Sequence, residues 1–212
     1  MPTTPRRAPF ARLAAEQFLR QSLHRRLSAV LLVAAHGAAG LDLPDDDRIH
    51  VVDLPVDIKP LGSKRNLCCA LARSEWIAHW DDDDWRGDRY LDEAIEQATS
   101  DVFCRREAWF DDGRDAWLYR GGSLCGVGST LLYRAEFWRT HQFPALQIGE
   151  DNAFIRGAAE RAVFGSCSDQ FVARDHGANT SGRMRDCPLW SRHGRSALPR
   201  EYLTYEAQSG LL

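Results

Sequence analysis

Within residues 9–22 the apolar positions Phe10, Leu13, Ala14 and Phe18 recur three and four residues apart, the spacing of one face of an amphipathic helix. A short unbroken apolar run follows at 27–35, closed by His36 and Gly37, as in a parallel strand covered on both faces. Residues 44–48 form an acidic turn, and 49–54 read as a second short strand. Helical spacing returns at 62–73, with Leu67, Ala70 and Leu71 on one side and Lys64 and Arg65 expected to be exposed near its start. Residues 76–80 read as a strand and 88–99 as a helix. Two aromatic-rich segments, 102–110 and 116–119, flank the turn Asp111, Asp112, Gly113 and predict an antiparallel hairpin. A further strand at 131–133 follows the glycine-rich stretch 121–128, and a helix at 150–160 opens with two acids.

This alternation predicts an α/β fold: one Rossmann-like domain whose mostly parallel central sheet is flanked by helices, with the small hairpin added. In such sheets ligands gather beyond the carboxyl ends of the strands. No internal repeat or linker divides the chain. The domain is expected over residues 1–182, with 183–212 as a C-terminal extension whose structure the pattern leaves open.

Composition narrows the function. The chain has 212 residues, 44% of them hydrophobic and 27% charged, which excludes disorder and fibrous repeats. A net charge of −3 gives no general attraction for nucleic acid, so any anion site must be local. The most apolar stretch is too short to span a bilayer, and residues 1–10 lack the hydrophobic centre of a signal peptide. The expectation is a cytoplasmic chain, with peripheral membrane association left open. The six cysteines show no CxxC pair and no zinc-ligand spacing, and are expected as free thiols.

The chemistry concentrates at Trp80-Asp81-Asp82-Asp83-Asp84-Trp85, where four consecutive carboxylates follow an apolar strand and stand between tryptophans. Extended backbone puts Asp81 and Asp83 on one face and Asp82 and Asp84 on the other, so a pair can converge on a cation. Such hard oxygens suit Mg²⁺ or Mn²⁺; the plain alternative is a solvated acidic turn. Glu150 and Asp151 either cap a helix start, where the macrodipole favours negative charge, or supply a general base across a cleft from the metal. Gly62-Ser63-Lys64-Arg65-Asn66 offers cations and helix-start N–H groups to a diphosphate, or is an exposed basic turn. His176, followed by Asn179, Thr180 and Ser181, is either a metal ligand or structural. Trp80, Trp85 and Trp117, each taken singly, fit the core better than a sugar-stacking role.

Together these residues resemble the family 2 glycosyltransferases of the GT-A fold, most specifically at 62–66 and at 72–85 (ARSEWIAHWDDDDW). The resemblance implies a divalent cation, Mn²⁺ or Mg²⁺, held by Asp81 and Asp83 with His176 and gripping a nucleotide-sugar diphosphate. It implies donor binding by Lys64, Arg65, Asn66 and Asp82 and, on the strand lining the sugar pocket (GVGSTLL), by Gly128 and Ser129. Asp151 is implied as the catalytic base of an inverting transfer, with Glu150 beside it. His176, Asn179, Thr180 and Ser181 are implied to close over the diphosphate. The donor would be a nucleotide-diphosphate sugar. The acceptor is left open between glycan, lipid-linked and protein hydroxyls, with cell-envelope polysaccharide synthesis as the implied setting. Two departures stand out: residues 1–4 look like only the tail of the family's first strand, which is truncated or missing, and Ala35-His36-Gly37 stands where the family carries an acid contacting the base. The rival readings are a catalytically silent nucleotide-sugar or glycan binder, and a nucleotidyltransferase or phosphohydrolase using the same acids.

Overall fold

A computed structural model describes residues 1–23, 28–176, 179 and 186–209. Helix α1 (Ala8–Leu19) forms on the expected face: Ala11, Ala14, Ala15 and Phe18 are buried, while Arg12 and Glu16 pair one turn apart on the outer side. Strands β1 (Leu31–His36) and β2 (Ile49–Leu54) pair in parallel, Leu31 opposite Ile49 through His36 opposite Leu54. Residues 1–3 run alongside: Pro2 bridges Ala34 in parallel, and the Thr3 N–H donates to the Ala34 carbonyl at 3.1 Å.

Helix α2 (Leu61–Leu71) leads into β3 (Trp76–Ala78), β4 (Trp85–Arg86) and helix α3 (Tyr90–Gln97). Then come β5 (Val102–Arg105), β6 (Glu107–Asp111), β7 (Ala116–Arg120), β8 (Leu132–Arg134) and helices α4 (Ala135–Thr140) and α5 (Glu150–Ala158). Strands β9 (Ala162–Gly165), β10 (Phe171–Arg174) and β11 (Trp190–His193) and helix α6 (Arg200–Ser209) complete the order. Two further sheets result, in the orders β3-β8-β5-β9 and β11-β7-β6-β10-β4.

The α/β class is as expected, but the ladder is mixed. β1–β2, β5–β9 and β6–β10 are parallel, whereas β3–β8, β8–β5, β6–β7, β7–β11 and β4–β10 are antiparallel. The reason lies in the aromatic stretch at 102–110, which reads as one strand yet breaks at Arg106 and changes sheets. Its first half pairs with β8 and β9, and its second half makes the expected hairpin with β7 across the Asp111–Gly113 turn.

The core cluster nearest the site joins α1 to Leu31, Val33, Trp80, Tyr90, Phe110 and Phe171. Trp80 packs edge-on against Phe18, and its indole N–H donates to the Ala14 carbonyl at 3.0 Å. Burying each such aromatic contributes about 1.5–3 kcal/mol, which fixes the end of β3 where the acids begin. The C-terminal residues also join the body. β11 extends the sheet at β7, and α6 packs Tyr202 against Trp85. The Tyr202 hydroxyl donates at 2.8 Å to Asp111, which is fully buried and also paired with Arg195. No helix among the described residues is long and apolar enough to cross a membrane. All six cysteines are free thiols.

Candidate functional site

Past Trp80 the chain enters a cavity of about 520 Å³. All four aspartates line it, together with Lys64, Arg65, Gly128, Ser129, Glu150 and Asp151. Sequence separation hides this convergence; the fold creates it by placing the starts of α2 and α5 against the end of β3.

The aspartates are already engaged by protein cations. Arg7, just ahead of α1, reaches Asp82 Oδ1 at 2.8 Å and Asp83 Oδ2 at 2.6 Å through Nη2. Thr3 donates its hydroxyl to Asp82 at 2.5 Å. Asp83 Oδ2 also accepts from Asn179 Nδ2 and meets His176 Nε2, both at 3.2 Å. Arg65 donates through Nε to Glu150 at 3.1 Å and through Nη1 to Asp81 at 3.2 Å. Lys64 donates to Asp57 at 3.3 Å. Lys64 and Arg65 are therefore not exposed, as their position at a helix start suggested; they are 9% and 7% accessible because their acidic partners lie inward.

Negative charge is still in excess. Seven acids line the cavity (Asp57, Asp81 to Asp84, Glu150, Asp151) against four described cations (Arg7, Lys59, Lys64, Arg65). Burial, joined by the Asp83 charge, pushes Asp84 up to about 7. Burial also pushes Asp82 up to about 6, with Arg7 opposing and Asp83 adding. Asp81 goes the other way: burial is the largest influence and opposes its charge, but Arg65, His79 and Arg86 together outweigh it and hold the carboxyl well below the usual range. Asp83 is likewise held down against burial by His176 and Arg7. Burial and the neighbouring Asp151 raise Glu150 despite Arg65, whose charge is shared with Asp81.

Among the described residues no three Asp, Glu, His or Cys side chains converge on one metal position. The donor chemistry nevertheless fits a hard divalent cation, since carboxylate oxygens predominate and burial, with the neighbouring Asp83 charge, raises two of them, Asp82 and Asp84. Arg7 stands as the competing cation at Asp83.

Asp151 sits in the first turn of α5, with Oδ1 accepting the Asn152 N–H at 2.6 Å. Its carboxylate lies so close to Gly128 that a Cβ there would collide with it. Gly128 is held in turn: His79 Nδ1 lies 2.8 Å from its carbonyl, and Nε2 lies 3.3 Å from the Tyr133 hydroxyl. Arg86, fully buried against Trp80, Tyr90 and Phe171, donates to the Asp81 carbonyl at 3.1 Å and to the Ser129 carbonyl at 3.0 Å. It straps the acidic segment to the Gly128–Ser129 turn.

Of the residues singled out from the sequence, Asp81, Asp82, Asp83, Lys64, Arg65, Gly128, Ser129, Glu150 and Asp151 share this cavity, and His176 adjoins it through Asp83. Asn66 does not. Its amide donates to the Phe143 carbonyl at 2.8 Å and accepts from Trp138 at 3.0 Å, so it braces the loop before α5. Thr180 and Ser181 lie outside the described residues. Trp80 and Trp85 are core; Trp117 is half-buried and donates to Asp112 at 2.9 Å. Arg7, Arg86 and His79 went unnoticed in the sequence, where nothing separates them from other arginines and histidines. Asp53 was missed as well. It stands one residue before the end of β2, opposite Ala35, and accepts the Gly37 and Ala38 N–H groups at 2.9 and 3.1 Å, so an acid adjoins the 35–37 segment where the resemblance implies one.

No family model and no curated protein sequence matches the chain. Solved structures do. The chain superposes on S. aureus TarS 1-349 in complex with UDP-GlcNAc with a TM-score of 0.64 at 18% identity, covering 87% of this chain and 60% of that one. The corresponding complex with UDP gives 0.59 at 18%, covering 82% and 59%. Longer S. aureus TarS gives 0.60 at 18%, covering 82% and 36%. The chain thus spans less than two thirds of the TarS chains it matches, and over that span its fold is that of the TarS glycosyltransferase, the fold its motifs led us to expect.

Proposed function

We propose that the chain transfers a sugar from a nucleoside-diphosphate donor to an acceptor hydroxyl, with inversion and with help from a divalent cation. The observation that carries this reading is the meeting, in one cavity, of an aspartate cluster at a strand end, a basic helix start and an acid on another helix. UDP and UDP-GlcNAc in the TarS structures support a nucleoside-diphosphate sugar as donor.

Asp83 and Asp81 would hold Mn²⁺ or Mg²⁺, with His176 beside them on Asp83 Oδ2, and the cation would supply Lewis-acid stabilisation of the departing diphosphate. Lys64 and Arg65 add positive charge beside the phosphates, and the Gly128–Ser129 turn lines the sugar. Asp151, standing against Gly128, takes the proton of the attacking hydroxyl. Arg86 and His79 act indirectly by fixing the backbone on which Asp81, Gly128 and Ser129 sit. One observation favours binding without turnover as a second reading: Arg7 and His176 already engage Asp83.

The test is a thermal-shift matrix of UDP, GDP and dTDP with Mn²⁺ or Mg²⁺, read together with donor hydrolysis. Joint stabilisation larger than the sum of the separate shifts, with nucleotide release from the matching nucleotide sugar, is expected. Additive shifts without release overturn the proposal, and a joint shift without release decides for the silent binder.

A further inference from the structure

At one end the cavity changes character. Phe110 from β6, Tyr119 from β7 and Trp190 from β11 line it alongside Asp151, Asn152 and Val127. The rings form one packed wall: Phe110 meets Trp190 at 4.9 Å between centroids, and Tyr119 meets Trp190 at 4.9 Å. Sheet register builds the wall, since Trp190 sits directly opposite Tyr119 on the neighbouring strand. Phe110 is buried beneath, whereas Tyr119 and Trp190 keep part of their surface open. The wall is electrostatically close to the proposed base as well: burial and nearby charges, Asp151 among them, raise the Tyr119 phenol.

This combination matches the surface of a pyranose. A sugar ring has an apolar C–H face that stacks on aromatic rings and a rim of hydroxyls that needs carboxylate and amide partners. Asp151 and Asn152 provide those partners next to the rings. The charges argue against an anionic acceptor. The four described cations lining the cavity come from residues 7, 59, 64 and 65, each paired with Asp57, Asp81, Asp82, Asp83 or Glu150, and none belongs to the strands that carry the rings. Among the described residues lining the cavity, none would offer a phosphate-bearing chain a compensating charge beside Asp151 there.

We infer that the Phe110–Tyr119–Trp190 wall is the acceptor subsite and that it takes an uncharged pyranosyl sugar, whose hydroxyl is presented to Asp151. This rests on the glycosyltransferase reading for the role of Asp151. The wall also gives a function to the C-terminal segment, which brings Trp190 to the cavity from beyond the residues that carry the motifs.

The test is saturation-transfer NMR on the full chain with UDP and diamagnetic Mg²⁺ present. The probes are methyl α- and β-pyranosides of glucose, galactose, mannose and N-acetylglucosamine, cellobiose and chitobiose, set against glycerol 3-phosphate and a Ser/Thr-rich peptide. At least one saccharide is expected to bind saturably, with the strongest transfer to the C–H protons of one ring face. Trp190→Leu and Tyr119→Leu keep apolar bulk but remove the aromatic face, and should weaken binding about tenfold, the size of a stack worth about 1.4 kcal/mol. Two variants from different strands guard against a folding defect in either, and thermal melts report on each. No saturable saccharide, preference for glycerol 3-phosphate or the peptide, or unchanged affinity in a folded variant overturns the inference. UDP calorimetry on the wild-type chain reports separately on the donor reading. Its failure alongside saccharide binding would remove the transferase assignment and leave a glycan-binding site.

Discussion

Arg65 is the residue on which the site's charge balance most depends, and Arg65→Met tests that balance. The residue is 7% accessible and touches two carboxylates, Glu150 at 3.1 Å and Asp81 at 3.2 Å. Methionine fills much of the volume, so the loss is electrostatic rather than a cavity. Removing one partner of a buried pair costs about 3–5 kcal/mol, because the remaining charge is left without compensation. Two acids are stranded here, which argues for the upper half of that range. For a chain of this size the melting temperature should fall by roughly 10 °C or more.

The pH dependence fixes the cause. In the wild type Asp81 is held below its unfolded value, so its contribution is present above about pH 4 and is lost as pH falls further. In Arg65→Met both acids should titrate above their unfolded values, so the folded form binds more protons than the unfolded one and the variant gains stability as pH falls. The gap to wild type should therefore be widest near pH 8 and should narrow towards pH 5. Urea unfolding at pH 5, 6.5 and 8, with slopes checked for two-state behaviour, measures this directly. The triple variant Arg65→Met/Asp81→Asn/Glu150→Gln should recover most of the loss. A deficit below about 1 kcal/mol at pH 8, or one that does not change with pH, would refute the reasoning.

Three further outcomes are expected. Arg7→Gln removes the cation bridging Asp82 and Asp83, so Mn²⁺ affinity without nucleotide should rise several-fold by calorimetry; an unchanged or weaker affinity contradicts the competition between Arg7 and metal. Asp151→Asn should lower sugar transfer by about 10²–10⁴ while keeping UDP and Mn²⁺ binding, and activity within a few fold of wild type, on a confirmed donor and acceptor, rejects it as the base. Tyr202→Phe deletes the hydroxyl that donates to buried Asp111 and should cost about 1.5–3 kcal/mol in urea unfolding; no measurable loss would mean that Arg195 satisfies Asp111 alone.

Local pattern carried much of this fold. Periodicity located α1 and α2 and an apolar run located β1, because these elements bury a face whose spacing is visible in the chain; the expected helices at 88–99 and 150–160 and the strand at 49–54 correspond to α3, α5 and β2. Asp81 to Asp84 were legible for a related reason: acids enclosed by tryptophans on a core strand are hard to explain as solvent-facing. What escaped notice depended on distant partners. A basic pair at a helix start normally faces water, and only folding brings Glu150, 85 residues on, to Arg65. Asp111 reads as a turn residue, yet it is buried because α6 returns over it with Tyr202. Asn66 looks like a ligand donor beside two cations, but its amide is used by Phe143 and Trp138, more than 70 residues away. The aromatic wall was illegible for the same reason, since its three rings come from three strands joined only by sheet register.

Two close-packed glycines, Gly128 in the cavity wall and Gly62 at the start of α2, have one further consequence. Gly128 carries the Asp151 carboxylate against its backbone, and Gly62 at the start of α2 approaches the Pro144 carbonyl and Glu150 so closely that a Cβ would collide. The start of α2 therefore rests on the backbone of the loop before α5, while the turn at Gly128 is packed by the Asp151 side chain itself. With the Arg65–Glu150 pair added, Lys64, Arg65, Glu150 and Asp151 are held close together by the fold. On the proposed function, the entropy of aligning the base with the phosphate-binding groups would be spent when the chain folds rather than when the donor binds, which would lower the cost of every turnover. Adaptation to a new donor or acceptor would then fall to the parts outside these contacts, the Arg7 side and the strand that carries Trp190.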